Sequence, residues 1–324
     1  MSGEKKVKVR KKSHLTGVVF WICFLLLAVP VGILGWILLS SQQDSGAPVL
    51  GNRYDGDLDP AIHKTQLEQI EAAVQSIDGV ESTFVTMPTG ERHHAYIIRR
   101  QAANRRTAIL VHGWRDQGIG MLAIARLYER MGYNVVVPDL HASGLSEGET
   151  IGMGWKDRLD VMHWLTLLHT DTMVVHGISM GAATTMNVSG MEMPEGIRSM
   201  KFVADCGYTS VWDEFSYKLK QEFGLPDFPL LYAASLLCKL HYGWSFGKAA
   251  PIRQVARCRY PMLLIHGDND DFVPSWMVHP LYEAKPEPKE LWVTEGTRHA
   301  LSYKDYPAEY AARLWDFTNG QMQE

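Results

Sequence analysis

The stretch Thr172-Met173-Val174-Val175-His176-Gly177-Ile178-Ser179-Met180-Gly181-Ala182-Ala183-Thr184-Thr185-Met186 decides how this chain is read. It opens with a short apolar, β-branched run and closes with a segment suited to a helix, and between them stands Gly177-x-Ser179-x-Gly181. A strand that reverses into a helix this sharply brings the backbone too close at the two flanking positions for any side chain, so both must be glycine. The same turn lifts Ser179 above the strand ends. The helix behind it offers the Met180 N–H and the positive end of its dipole to a developing oxyanion. A plain helix N-cap is the competing reading of a serine here. A nucleophile is the better reading only if a histidine and a carboxylate follow, because a serine hydroxyl is too weak a nucleophile without them.

Both follow. A strand over Met262 to Ile265 leads into His266-Gly267-Asp268-Asn269-Asp270-Asp271-Phe272-Val273-Pro274, and one over Glu290 to Val293 is followed by Gly296-Thr297-Arg298-His299-Ala300. Serine, acid and histidine thus come in an order that a triad on a parallel sheet uses. Asp268, Asp270 and Asp271 crowd one loop, and Asp205 at the end of a further strand is a fourth candidate acid. Of the histidines, His299 alone falls in the loop after the last strand. His112, His141, His176 and His266 read as turn-stabilising or strand-end residues.

The remaining strands are expected at Ser82 to Met87, Ala95 to Arg100, Thr107 to Val111, Asn134 to Val137, Thr172 to Val175 and Ser199 to Ala204. Short β-branched runs alternating with amphipathic stretches imply parallel strands joined by crossover helices, and without an internal repeat they suggest a doubly wound sheet.

With these motifs assembled, the chain resembles the α/β-hydrolase superfamily, in its bacterial membrane-anchored branch related to serine aminopeptidase-like and lysophospholipase-like hydrolases. The resemblance covers Val80 to the C-terminus. It is carried by His112-Gly113-Trp114, by Pro138-Asp139-Leu140 leading to Gly144-Leu145-Ser146-Glu147-Gly148, by the turn at Ser179, by His266 to Pro274 and by His299. It implies the α/β-hydrolase fold, an eight-stranded, mostly parallel, doubly wound sheet with a helical lid. It also implies a catalytic triad of Ser179, Asp270 and His299, the acid being the aspartate four positions after the histidine in the family's H-G-x-x-D-x-x-V-P pattern. The Trp114 and Met180 amides would form the oxyanion hole, and the aromatic-rich insertion from about Gly207 to Arg257 would be the lid over an apolar pocket. The activity to expect is hydrolysis of carboxylic esters or related acyl compounds through an acyl-enzyme on Ser179, with a small-molecule acyl substrate and no cofactor. A peptidase or amidase of the serine aminopeptidase type, or a non-catalytic ligand-binding protein on the same fold, are the alternatives.

Composition is consistent with one domain plus a short extension: 324 residues, 46% hydrophobic and 21% charged. Net charge is −4, but residues 1–16 hold six basic side chains against Glu4, a local +5, so the remainder carries −9. Nucleic acid is therefore not an expected partner. Gly17 to Leu39 contains no charged residue and is long enough to cross the roughly 30 Å hydrocarbon core. It reads as an uncleaved transmembrane anchor rather than a signal peptide, because Leu39-Ser40-Ser41-Gln42 makes a poor cleavage site. Residues 1–16 then form a basic cytoplasmic tail, 40–60 a linker and 61–324 the catalytic domain on the non-cytoplasmic side, periplasmic or extracellular in a bacterium. Beyond the span, Cys206, Cys238 and Cys258 read as small buried hydrophobes, with a Cys238 to Cys258 disulfide as the alternative. No C-x-x-C or H-E-x-x-H spacing occurs and His93-His94 sits in a strand-like run, so no metal is expected.

Overall fold

The computed structural model describes residues 79–100 and 105–320. All eight expected strands form: β1 (Val80–Thr86), β2 (Arg92–Ile98), β3 (Arg106–Val111), β4 (Asn134–Pro138), β5 (Thr172–Ile178), β6 (Ser199–Asp205), β7 (Met262–Gly267) and β8 (Lys289–Thr294). They make one sheet in the order β1-β2-β4-β3-β5-β6-β7-β8. β2 runs antiparallel to both β1 and β4, and every other pair is parallel. The central strands are near-continuous apolar runs because helices cover both of their faces.

Helices α1 (Leu122–Arg130) and α9 (Pro307–Asn319) cover one face, where Ile124, Tyr128, Tyr310 and Phe317 pack on Leu110, Val174 and Val203. Helices α2 (Asp157–Leu167), α3 (Met180–Ser189), α6 (Pro251–Val255) and α7 (Val278–Ala284) cover the other, where Trp164, Met186 and Val255 pack on Val111, Val175 and Phe202. Each fully buried aliphatic side chain of this kind contributes about 1.5–3 kcal/mol. All ten residues of α3 are buried, which explains why its sequence of small and apolar residues has no polar stripe.

β4 lies on one side of β3 and β5 on the other, so the winding reverses at β3 and opens a crevice beyond the carboxyl ends of β3 and β5. Between β6 and β7 the expected insertion forms α4 (Val211–Phe223), α5 (Leu230–Tyr242) and α6. Ser210 caps α4 by accepting the Asp213 N–H at 3.0 Å, and Gly224 ends it at φ +64°. A short α8 (Ser302–Asp305) precedes α9.

Cys206, Cys238 and Cys258 are buried thiols outside any disulfide, as small hydrophobes would be, and burial pushes the Cys238 thiol up to about 12. The basic tail, the span at 17–39 and the linker at 40–60 lie outside the described residues. Among the described residues no helix is long and apolar enough to cross a membrane.

Candidate active site

Ser179 stands at the end of β5, in the crevice, with φ +57° and ψ −118°. Few L-residues adopt that conformation, and the surroundings hold it there. The Ser179 N–H donates to Asp205 O at 2.8 Å and its carbonyl accepts the Ala183 N–H at 3.0 Å. The flanking glycines are as constrained as the motif requires: a Cβ at Gly177 would lie 2.0 Å from Gly181 O, and one at Gly181 would lie 2.0 Å from Val111 O.

The Ser179 Oγ is 2.8 Å from His299 Nε2, and His299 Nδ1 is 2.7 Å from Asp270 Oδ2. All three side chains are largely buried. The other Asp270 oxygen accepts the Phe272 and Val273 amides at 2.9 and 3.0 Å. Burial alone would raise the Asp270 carboxyl, but hydrogen bonds and charge from His266 and His299 outweigh it and hold it at about 2. An ionised carboxylate fixed on Nδ1 leaves Nε2 free to take the serine proton, so the arrangement can move a proton from Oγ to the imidazole and back.

The rival acids point elsewhere. Asp268 is exposed, and Asp271 is exposed beside Arg298 at 3.7 Å. Asp205 is buried and accepts the Tyr310 hydroxyl at 2.9 Å, and burial raises its carboxyl to about 6. His112, His176 and His266 form hydrogen bonds at the loops and strand ends that carry them. His112 donates from Nδ1 to Gly113 O at 2.8 Å and accepts the Leu140 amide on Nε2 at 3.0 Å, tying the loop after β3 to the loop after β4. His176 is buried between the hydroxyls of Tyr128 and Tyr310 at 3.1 and 3.0 Å. His266 donates to Val273 O at 2.9 Å, closing the loop that carries Asp270.

Gly113 brings the loop after β3 against Ser179: a Cβ built there would be 3.5 Å from Ser179 Cβ. That brings the loop carrying Trp114 close to the serine, which Met180 follows directly in the chain. Among the described residues neither amide donates a hydrogen bond to protein. A cavity of about 270 Å³ opens over Ser179, walled by Trp114, Phe215, Leu219, Leu231, Phe246 and Phe272.

The insertion thus supplies an apolar wall, but sequence reasoning missed one polar residue in it. Glu214 lines the cavity while almost fully buried, one carboxyl oxygen has no hydrogen-bond partner among the described residues, and burial pushes its carboxyl up against the opposing charge of Lys218. Nothing in Trp212-Asp213-Glu214-Phe215 distinguishes the buried acid from the exposed-looking one beside it.

Residues 108–313 match the model of the alpha/beta hydrolase family. The chain is 27% identical over 267 residues to the uncharacterized protein YqkD of Bacillus subtilis (strain 168), covering 80% of this chain and 86% of that one. Its fold is similar to that of the Pyrococcus furiosus esterase Pf2001, with a TM-score of 0.60 at 21% identity over 84% of this chain and 99% of that one. It is also similar to the thioesterase domain from the curacin biosynthetic pathway, with a TM-score of 0.51 at 15% identity over 73% and 99%. A family match across most of the chain, on a sheet whose crevice brings Ser179, His299 and Asp270 together, leads to one conclusion: the protein belongs to the alpha/beta hydrolase family.

Proposed function

We propose that this hydrolase is a serine hydrolase that cleaves carboxylic esters or related acyl compounds through an acyl-enzyme on Ser179. The observation that carries the reading is the unbroken relay from Ser179 Oγ through His299 to Asp270 at 2.8 and 2.7 Å, opening on an apolar cavity. In this reading Ser179 Oγ attacks the substrate carbonyl as its proton passes to His299 Nε2, and the Asp270 carboxylate stabilises the imidazolium. The Trp114 and Met180 amides receive the oxyanion, and His299 returns its proton to the leaving group. Water then repeats the sequence on the acyl-enzyme and frees the acid.

A cavity of about 270 Å³ favours a compact acyl group, since small-molecule pockets span roughly 300–1,000 Å³. The esterase and thioesterase among the similar folds agree with ester or thioester cleavage, and amide hydrolysis is the second reading. We also propose that residues 17–39 anchor the enzyme, with its domain on the non-cytoplasmic side. Full-length protein treated with a fluorophosphonate should be labelled at Ser179, located by peptide mass. An unlabelled Ser179 in folded protein would rule out the acyl-enzyme.

A further inference from the structure

Away from the cavity, the turn before β2, β2 itself and the loop after β4 bring Glu91, His93 and His141 together. One donor atom from each lies within 4.8 Å of the others. His141 Nδ1 is 3.4 Å from Glu91 Oε2, and His93 Nε2 is 4.0 Å from the same oxygen. His93 is wholly buried, yet neither of its ring nitrogens has a hydrogen-bond partner among the described residues. Leaving a buried polar group unsatisfied costs about 1–3 kcal/mol, so an imidazole held this way calls for a ligand. On its far side, His93 Nδ1 is 3.8 Å from Asp160 Oδ2, and the Asp160 carboxylate also receives a backbone hydrogen bond from His141. Thr89 Oγ1 donates to Glu91 Oε2 at 2.8 Å and orients that carboxylate.

We propose that Glu91, His93 and His141 form a zinc-binding site, with Glu91 bound through Oε2, His93 through Nε2 and His141 through Nδ1. Tetrahedral zinc with bonds of about 2.0–2.2 Å sets its ligand atoms roughly 3.4 Å apart. The Glu91 and His141 atoms already stand at that spacing, and small side-chain rotations bring His93 to it. Two imidazoles and a carboxylate suit zinc, whereas magnesium and calcium require more oxygen ligands and copper(I) prefers thiolate. With His93 on the metal through Nε2, its Nδ1–H turns to Asp160, the carboxylate–histidine support that metal-bound imidazoles usually have. Glu91 and His141 are partly exposed, 34% and 18% at their side chains, so the ion reaches the site from solvent and keeps a water as fourth ligand.

The ion would pin the loop after β4 to β2. That loop carries Leu140, whose amide holds His112 beside Gly113 and Trp114, so the clip braces one wall of the crevice without touching the reacting groups. Zinc here would run against the expectation of no metal drawn from the sequence. Glu91 and His93 stand two positions apart, but His141 comes from the loop after β4, so no single spacing motif records the set.

The test uses full-length protein stripped with a chelator and titrated with zinc chloride by calorimetry against a competing chelator, with thermal unfolding in parallel. One equivalent should bind per chain and raise the unfolding midpoint. Glu91→Gln and His141→Ala, on partly exposed side chains, should each weaken zinc at least about tenfold, and His93→Ala should abolish it. Ser179→Ala and Asp270→Asn should bind zinc as the parent does, which separates this site from the Cys206, Asp270 and His299 group. Absence of zinc binding overturns the proposal. So does binding that Glu91→Gln and His141→Ala leave unchanged, or that Asp270→Asn removes.

Discussion

His299 Nε2 sits 2.8 Å from the Oγ of Ser179, a residue whose backbone is held at φ +57°. The contact couples an unfavourable backbone conformation, which costs on the order of 1–3 kcal/mol, to the delivery of a hydroxyl onto a histidine. Ser179→Ala keeps the backbone and removes the hydroxyl, so hydrolysis of a p-nitrophenyl ester should fall more than about 10³-fold with an unchanged circular dichroism spectrum. Ser179→Gly should be equally inactive yet more stable by about 1 kcal/mol, because glycine adopts positive φ freely. Activity retained in pure Ser179→Ala would remove the serine from the mechanism.

Asp270 accepts at His299 Nδ1, and asparagine in its place can donate there and turn the imidazole to the wrong tautomer. Asp270→Asn should therefore lower kcat by a factor on the order of 10⁴, whereas Asp268→Asn, Asp271→Asn and Asp205→Asn should each cost far less. Comparing the four kcat values tests the assignment, and a larger loss at any of the other three would transfer the role.

Asp205 and Asp270, two of the three buried carboxyls near the site, should oppose each other in the pH dependence of stability. Burial raises Asp205 to about 6, so between pH 4 and 6 the unfolded chain releases its proton first and stability falls as pH rises, by on the order of 2–3 kcal/mol in total. Asp270 is held at about 2, so its contribution is complete above pH 4 and is lost as pH falls toward 2. In thermal melts across pH 2–7, Asp205→Asn should flatten the limb between pH 4 and 6 and Asp270→Asn the acid limb below pH 4. Parallel profiles for parent and variants would contradict these shifts.

Gly181→Ala should prevent stable folding or cost more than about 3 kcal/mol, because its Cβ would press into Val111 O at 2.0 Å and backbone cannot swing aside. Gly247→Ala, with open space around the new methyl, should stay within about 0.5 kcal/mol of the parent. Denaturant midpoints compare the two directly.

If residues 17–39 span a membrane, the full chain should stay in the membrane fraction through a high-salt wash, which releases proteins held by charge alone. A chain lacking residues 1–40 should be soluble and retain esterase activity, since the earliest proposed catalytic residue is Trp114. Release of the full chain by salt would refute the anchor.

Much of this protein was legible from the sequence because the relevant signals are local. The eight strands lie within a few residues of their expected limits, since β-branched runs between turn residues carry that information in their own composition. The elbow at Ser179 was equally plain, because the clash that demands glycine at 177 and 181 arises within the turn and its immediate strand neighbour. His299 needed only its place after the last strand.

Other features depended on the folded chain. Spacing by analogy favoured Asp270 over its neighbours, but the geometry comes from the Phe272 and Val273 amides and His266, which turn that carboxylate inward while Asp271 faces Arg298. Glu214 looked like any acid on a helix until packing closed over it. The meeting of Glu91, His93 and His141 required β2 to pair with β4, a contact between segments far apart in the chain. Local composition determines which elements form and where the backbone must bend. Which polar side chains are buried, and which of them meet, is decided by long-range packing, because burial belongs to the assembled sheet and its helices rather than to any one segment.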